Sequence, residues 1–172
     1  MSFTVRPART SDVPLIQELC EPLVQKRILL GKERVVFYES VQEFRVAVDD
    51  SLPPEAPEAL IGCGALHVIW DELGEVRTLA VADNWLHRGV GHAILDDIEE
   101  KARALGLTKL FCLTFETEFF GRHGFKPIGE ELVAPEVYAE LVRSQDEGIA
   151  EFLDLARVKP NTLGNTRMLK LL

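Results

Sequence analysis

A single α/β (α+β) domain, residues 1–172, is the fold class this sequence predicts, on three observations. The segment Glu75 to Ile94 reads as an apolar strand, a glycine turn and an amphipathic helix. Leu110 to Phe115 is apolar nearly throughout, as a strand covered on both faces would be. Further strands and helices fill the rest of the chain, with no repeat, low-complexity tract or linker that would split it.

In order, Phe3 to Arg6 reads as a first strand, and Thr10, Ser11 and Asp12 offer an N-cap to a helix carrying Val13, Ile16, Leu19, Cys20, Leu23 and Val24 at helical spacing. Pro22 predicts a kink or break there. Arg34 to Val41 is ambiguous. Glu43 to Val48 alternates polar and apolar as a strand does, and Asp49 to Glu58, rich in proline and aspartate, is a turn or exposed loop. Leu60 to Ile69 and Val76 to Ala82 form an antiparallel pair joined by a tight connection, Asp71 to Gly74. Gly91 to Leu105 is a helix with Ile94, Leu95, Ile98, Ala102 and Leu105 on one face, stopped by Gly106. A short helix from Glu118 to His123 ends at Gly124, followed by a brief strand, Phe125 to Ile128. Pro135 to Arg143 is a helix, Ile149 to Leu155 a further helical turn, and Arg167 to Leu172 a strand that closes the sheet.

Composition excludes several classes. With 172 residues, 47% hydrophobic and 27% charged, the chain can bury a full core and does not have the makeup of a disordered one. A net charge of -9 argues against a general nucleic-acid binder, though not against a local basic pocket. The longest apolar stretch, Ala59 to Trp70, is broken by glycines and His67 and is too short to span a bilayer. The N-terminus lacks the apolar core of a signal peptide. Cys20, Cys63 and Cys112 sit at wide spacing among apolar neighbours and read as buried free thiols in a reducing cytoplasm. His67, His87, His92 and His123 show no ligand spacing with cysteines or carboxylates, so no metal site is expected.

The chemistry concentrates at His87-Arg88-Gly89-Val90-Gly91-His92. Amides at a helix start have no intrahelical partner and lie at the positive end of the helix dipole, so such a turn holds an anion, and glycines let the chain come close to it. A phosphorylated cofactor or substrate is therefore expected. A plain helix cap is the simpler alternative for a lone Gly-x-Gly.

At this point the chain resembles the Gcn5-related N-acetyltransferase (GNAT) family, on Leu79-Ala80-Val81, Arg88-Gly89-Val90-Gly91 and Phe120-Gly121-Arg122-His123-Gly124-Phe125. Gly62-Cys63-Gly64-Ala65-Leu66, Gly74-Glu75-Val76-Arg77-Thr78, Leu110-Phe111-Cys112-Leu113-Thr114 and Asn165-Thr166-Arg167-Met168-Leu169 extend the resemblance to the short, stand-alone N-acetylglutamate synthases of actinobacteria. The resemblance implies a mixed, mostly antiparallel central sheet flanked by helices, with a splayed strand forming an acetyl-CoA cleft. It implies acetyl transfer from acetyl-CoA to the α-amine of L-glutamate, or L-glutamine, as the opening step of arginine synthesis. A small-molecule amino acid is then the acceptor, with no nucleic acid, no membrane and room for a homodimer. Another amine (a peptide N-terminus, a polyamine, an antibiotic) and a non-catalytic CoA-binding sensor are the alternatives. The sequence departs from the family where Leu86 and His87 begin the glycine turn and where Phe120 replaces a frequent tyrosine acid.

On this reading the amides from His87 to His92, with Arg88 and His92 able to add charge, cradle the pyrophosphate, and main-chain groups of Leu79, Ala80 and Val81 bind the pantetheine. The N–H of Val81 polarises the acetyl carbonyl, since oxyanion donors must point where charge develops. An α-amine is mostly protonated at pH 7, so a base is required. Glu75, four residues before Leu79 and on the same strand face, is the first candidate, Glu116 the second and Glu118 the third. Thr117 is the acid candidate. A dicarboxylate acceptor needs cations, preferably arginine. Arg77 and Arg27 are the favoured pair, with Lys26, Arg45, Arg167 and Lys159 as further cations and Asn161 and Asn165 as amide partners.

Overall fold

The computed structural model describes residues 2–129, 133–153 and 165–172. The elements run β1 (Phe3–Pro7), α1 (Val13–Gln25), α2 (Arg34–Glu39), β2 (Phe44–Asp49), β3 (Leu60–Trp70), β4 (Leu73–Val81), α3 (Val90–Ala104), β5 (Lys109–Thr114), α4 (Thr117–Arg122), β6 (Lys126–Pro127), α5 (Pro135–Leu141), α6 (Glu147–Phe152) and β7 (Thr166–Leu171). The strands form an open sheet in the order β1-β2-β3-β4-β5-β7-β6, with β4 and β5 parallel and β1-β2, β2-β3, β5-β7 and β6-β7 antiparallel.

The chain forms two compact units, Met1–His67 with Val76–Gly106, and Val68–Glu75 with Leu107–Leu172. In the first, Val13, Ile16 and Cys20 of α1 pack with Phe37, Phe44, Val46, Leu60, Cys63, Ala65 and Ala80. Helix α3 rests on β3 at two glycines. A Cβ at Gly62 would stand 2.8 Å from Ile94 Cδ1 and 2.9 Å from Val90 Cγ1, and one at Gly64 would stand 2.8 Å from Ile94 Cγ2. The pair thus forms a notch that only the absence of side chains allows. Arg45 Nε lies 2.6 Å from Asp97 Oδ2, and Lys101 Nζ donates to the Gln42 carbonyl, so α3 is also tied to β2 and the turn before it.

In the second unit, Ile69, Leu73, Phe111, Leu141, Ile149 and Phe152 form the core. Phe111 and Phe152 meet edge-on, with ring centres 4.9 Å apart. Glu72 accepts from Lys109 Nζ at 2.7 Å, and its carbonyl accepts the amides of Thr108 and Lys109.

Several boundaries differ from the sequence reading, each for a physical reason. Strand β4 begins at Leu73, because Leu73, Gly74 and Glu75 pair with Lys109, Leu110 and Phe111. The connection between β3 and β4 is therefore only Asp71 and Glu72, and Gly74 belongs to the strand. Helix α1 runs through Pro22 to Gln25; Pro22 is exposed, where solvent can reach the carbonyl its missing N–H leaves over. Asp12 does not cap α1 through its side chain. Its carboxylate turns back, accepting two bonds from Arg6 (2.7 and 3.0 Å) and one from the Arg9 amide (2.7 Å). Arg34 to Val41 resolves into the short α2 and a 3-10 turn, Val41–Glu43. The strand expected over Phe125 to Ile128 is reduced to Lys126–Pro127.

Gly64→Ala forces Ile94 off β3 and lowers unfolding free energy by about 1–3 kcal/mol, measured by urea denaturation. Burial raises the pKa of Asp12, but the Arg6 and Arg9 hydrogen bonds outweigh it and hold the carboxyl below its ordinary value. Its contribution is therefore present above the usual carboxylate range and is lost as pH falls through the lowered pKa. Arg6→Met destabilises the chain by about 1.5–3 kcal/mol near neutrality, and the gap from wild type narrows in acid, read from denaturation midpoints across pH.

Candidate active site

In the first unit, β4 carries Val76 and Ala80 buried, with Arg77, Thr78, Leu79 and Val81 half-buried. Within the strand Thr78 takes a φ of 56°, which is left-handed. For a β-branched residue that conformation is costly and persists only when its surroundings enforce it. Two contacts hold it: Cys63 Sγ donates to the Thr78 carbonyl at 3.4 Å, and Lys32 Nζ lies 3.4 Å from Thr78 Oγ1.

After β4 the chain makes a 3-10 turn, Asp83–Trp85, and reaches the glycine turn. Trp85 is buried and sets its ring edge-on to Phe3, and the Arg88 guanidinium lies over the Trp85 ring, 5.4 Å from its centre. His87 and Gly89 are both left-handed, with φ of 61° and 84°, on either side of Arg88. Left-handed residues spaced in this way turn neighbouring amides into a concave anion-binding nest. Gly89 is the N-cap of α3, and no side chain caps that helix end.

Backbone bonds near the turn run from Trp85 to Ala82, from Leu86 to Asp83 and from Ala93 to Gly89. Among the described residues the amides of His87, Gly89, Val90 and Gly91 donate to no backbone acceptor. A Cβ at Gly89 would meet nothing within 4 Å, so the space beside this turn is open. A helix of fifteen residues stands behind these amides, with its positive end at the turn. Donors, dipole and room together fit a phosphate group.

The other predicted residues separate as follows. Lys26 and Arg27 are exposed at the end of α1, where Arg27 takes the left-handed position that ends the helix. The cation that the first unit brings onto β4 from the N-terminal region is instead Lys32. It stands in an irregular loop with no periodicity to mark it, and only its position just before α2 could have drawn notice. Arg45, a candidate cation on the sequence, is committed to Asp97.

In the second unit, Glu75 is 4% exposed and pairs with Phe111, so it is a mid-strand residue and not a solvated strand start. Its charge, after burial, pushes the Cys112 thiol well above its ordinary range. A buried thiol held neutral is a poor nucleophile. Glu116 and Thr117 are exposed at the start of α4, and the Glu116 amide donates to Thr114 Oγ1 at 2.8 Å. Glu118 forms an exposed ion pair with Arg122. Phe120 is buried, with its ring centre 5.1 Å from that of Phe119 and 5.2 Å from that of Phe125. Arg167 is half-buried, its guanidinium 5.7 Å from the ring centres of both Phe111 and Phe152 and donating to the Phe152 carbonyl. Asn165 is half-buried just before β7. Lys159 and Asn161 lie outside the described residues. Among those residues no group of three or more His, Cys, Asp and Glu is arranged to hold a metal ion.

This architecture defines a class. Residues 29–125 match the model of the acetyltransferase (GNAT) family, more than half of the chain, and the chain belongs to that family. It is 54% identical over 168 residues, 98% of its length and 94% of the relative's, to an amino-acid acetyltransferase of Mycobacterium tuberculosis. It is 38% identical over 129 residues to an amino-acid acetyltransferase of Azotobacter vinelandii, of which it spans 28%. Among solved structures, Rv2747 from Mycobacterium tuberculosis in complex with CoA and NLQ superposes with a TM-score of 0.93 at 53% identity, over 98% of this chain and 99% of that one. N-acetylglutamate synthase from Neisseria gonorrhoeae, complexed with coenzyme A and N-acetyl-glutamate, gives a TM-score of 0.75 at 25% identity, over 100% of this chain and 35% of that one.

Gly89→Ala places a Cβ in a left-handed position with no steric neighbour, so it destabilises the fold by only about 1 kcal/mol. Urea denaturation measures this, and a much larger loss would mean that the turn is packed and not open.

Proposed function

We propose that this chain transfers acetyl from acetyl-CoA to the α-amine of L-glutamate, with L-glutamine the nearest other acceptor, as the opening step of arginine synthesis in the cytoplasm. The observation that carries the reading is the set of amides of His87, Gly89, Val90 and Gly91, which among the described residues donate to no backbone acceptor, at the open end of α3. The likeness over nearly the whole chain to an amino-acid acetyltransferase supports an amino acid as acceptor. Three free, buried cysteines are in keeping with a reducing compartment.

On this reading the turn amides, joined by Arg88 and His92, hold the pyrophosphate, and the main chain of Leu79, Ala80 and Val81 takes the pantetheine as an added strand. The Val81 N–H stabilises the oxyanion that forms when the amine attacks the thioester carbonyl. Glu75 accepts the ammonium proton directly or through water, which restores the nucleophile. Glu116 is the second candidate for that role, and Thr117 is the donor to the departing thiolate. Attack is direct, without an acyl-enzyme, in keeping with the neutral, buried Cys112. Arg77 and Lys32 supply positive charge for the acceptor's carboxylates, with Arg27, Lys26, Arg167 and Asn165 as further candidates.

The test is release of free thiol from acetyl-CoA across a panel of amino acids, polyamines and a peptide N-terminus. Glutamate or glutamine accelerates release and the others do not; acceleration by neither overturns the acceptor assignment. Glu75→Gln lowers kcat about 100-fold with the KM for acetyl-CoA retained, and flattens the rise of rate with pH. An unchanged pH profile removes Glu75 as the base.

A further inference from the structure

Two cysteines that the chemistry leaves unused face one another in the first unit. Cys20 of α1 and Cys63 of β3 place their sulfurs 3.8 Å apart, and both side chains are buried, at 2% and 0% exposure. The Cys63 sulfur also reaches β4: it donates to the Thr78 carbonyl at 3.4 Å and receives the Ala80 amide. Thr78 is the left-handed residue within β4, and Ala80 lies in the run assigned to the pantetheine. One sulfur therefore contacts a second thiol on one side and the backbone of the acetyl-CoA strand on the other.

We propose that Cys20 and Cys63 form a reversible disulfide driven by peroxide, which withdraws the Cys63 thiol from β4 and weakens acetyl-CoA binding. The functional half of this inference rests on the acetyl-CoA reading above. In the reaction, one sulfur attacks hydrogen peroxide, breaking the O–O bond and becoming a sulfenic acid as the first water leaves. The second sulfur attacks that sulfenic sulfur, forming the S–S bond and releasing the second water. The two thiols are oxidised by two electrons in all, and the peroxide is reduced to two molecules of water.

The consequence for β4 follows from the lost proton. The disulfide has no S–H to donate, so the Thr78 carbonyl loses that partner while the sulfur moves toward α1. A left-handed, β-branched residue depends on such supports. Hydrogen bonding to Cys20 and burial raise the Cys63 thiol well above its ordinary range, with the Lys32 charge acting the other way. Thiolate is scarce as a result, and the bond forms under sustained peroxide and not in a brief pulse.

The experiment titrates the reduced full chain with acetyl-CoA by calorimetry, then repeats the titration after prolonged incubation with hydrogen peroxide. Denaturing alkylation and peptide mapping follow the thiols. The expected result is a linked Cys20–Cys63 peptide lighter by two hydrogens, and an acetyl-CoA Kd raised about five- to tenfold. Dithiothreitol reverses both changes. Cys112→Ser responds as the wild type does, whereas Cys20→Ala holds its affinity through the same treatment. Absence of the linked peptide, or its formation with an unchanged Kd, overturns the proposal. If Cys20→Ala fails to fold, reversal by dithiothreitol in the wild type decides the same point. No affinity in the reduced protein would count against the acetyl-CoA reading, and the linked peptide would still decide whether the bond forms.

Discussion

The glycine notch on β3 is the constraint from which the rest of the first unit follows. A helix comes close to a strand only where the strand carries no side chain in its way, and Gly62 and Gly64 leave that space to Ile94, Val90 and Ile98. Once α3 is seated, its first residue and the turn before it have little freedom. The Arg45–Asp97 pair and the Lys101 bond to Gln42 act farther along the same helix and hold it against β2. The glycine turn proposed to hold the pyrophosphate is well placed because the helix behind it is fixed, as a loop carried by a rigid element is.

Backbone strain falls beside the residues proposed to bind acetyl-CoA. The left-handed non-glycine residues of the chain are Arg27, Thr78 and His87 among those described. Arg27 ends a helix, which is an ordinary use of that conformation. Thr78 lies within β4 just before the Leu79–Val81 run and His87 opens the glycine turn, and neither ends a helix. Thr78 contacts Cys63 and Lys32, and beside the glycine turn Trp85 packs against Phe3 with the Arg88 guanidinium over its ring. Polar and aromatic contacts in the core thus support backbone geometry that the local sequence does not favour.

The second unit is organised differently. Its core is aromatic, and Arg167 is set beside the rings of Phe111 and Phe152 while bonded to the Phe152 carbonyl. Among the described residues Glu75 is the buried carboxylate of that unit, paired through β4 with Phe111 and close enough to influence Cys112. Burial of a carboxylate costs solvation free energy that its surroundings must offset.

Much of this architecture is legible in the residues themselves. Period-2 and period-3.6 patterns locate most strands and helices, and a Gly-x-Gly turn between strand and helix points to an anion on local chemistry alone. Boundaries that depend on partners are not legible. Leu73 to Glu75 is strand because β5 lies alongside, Asp12 turns back to Arg6 because a guanidinium is in reach, and Pro22 is tolerated because it faces solvent. The same holds for the proposed site. The turn, the strand and Glu75 stand out in the sequence, since these follow local rules of spacing and chemistry. Only the tertiary structure brings Lys32 to Thr78 and Cys20 to Cys63, pairs separated by 46 and 43 positions, because no periodicity records which distant side chains the folded core will press together.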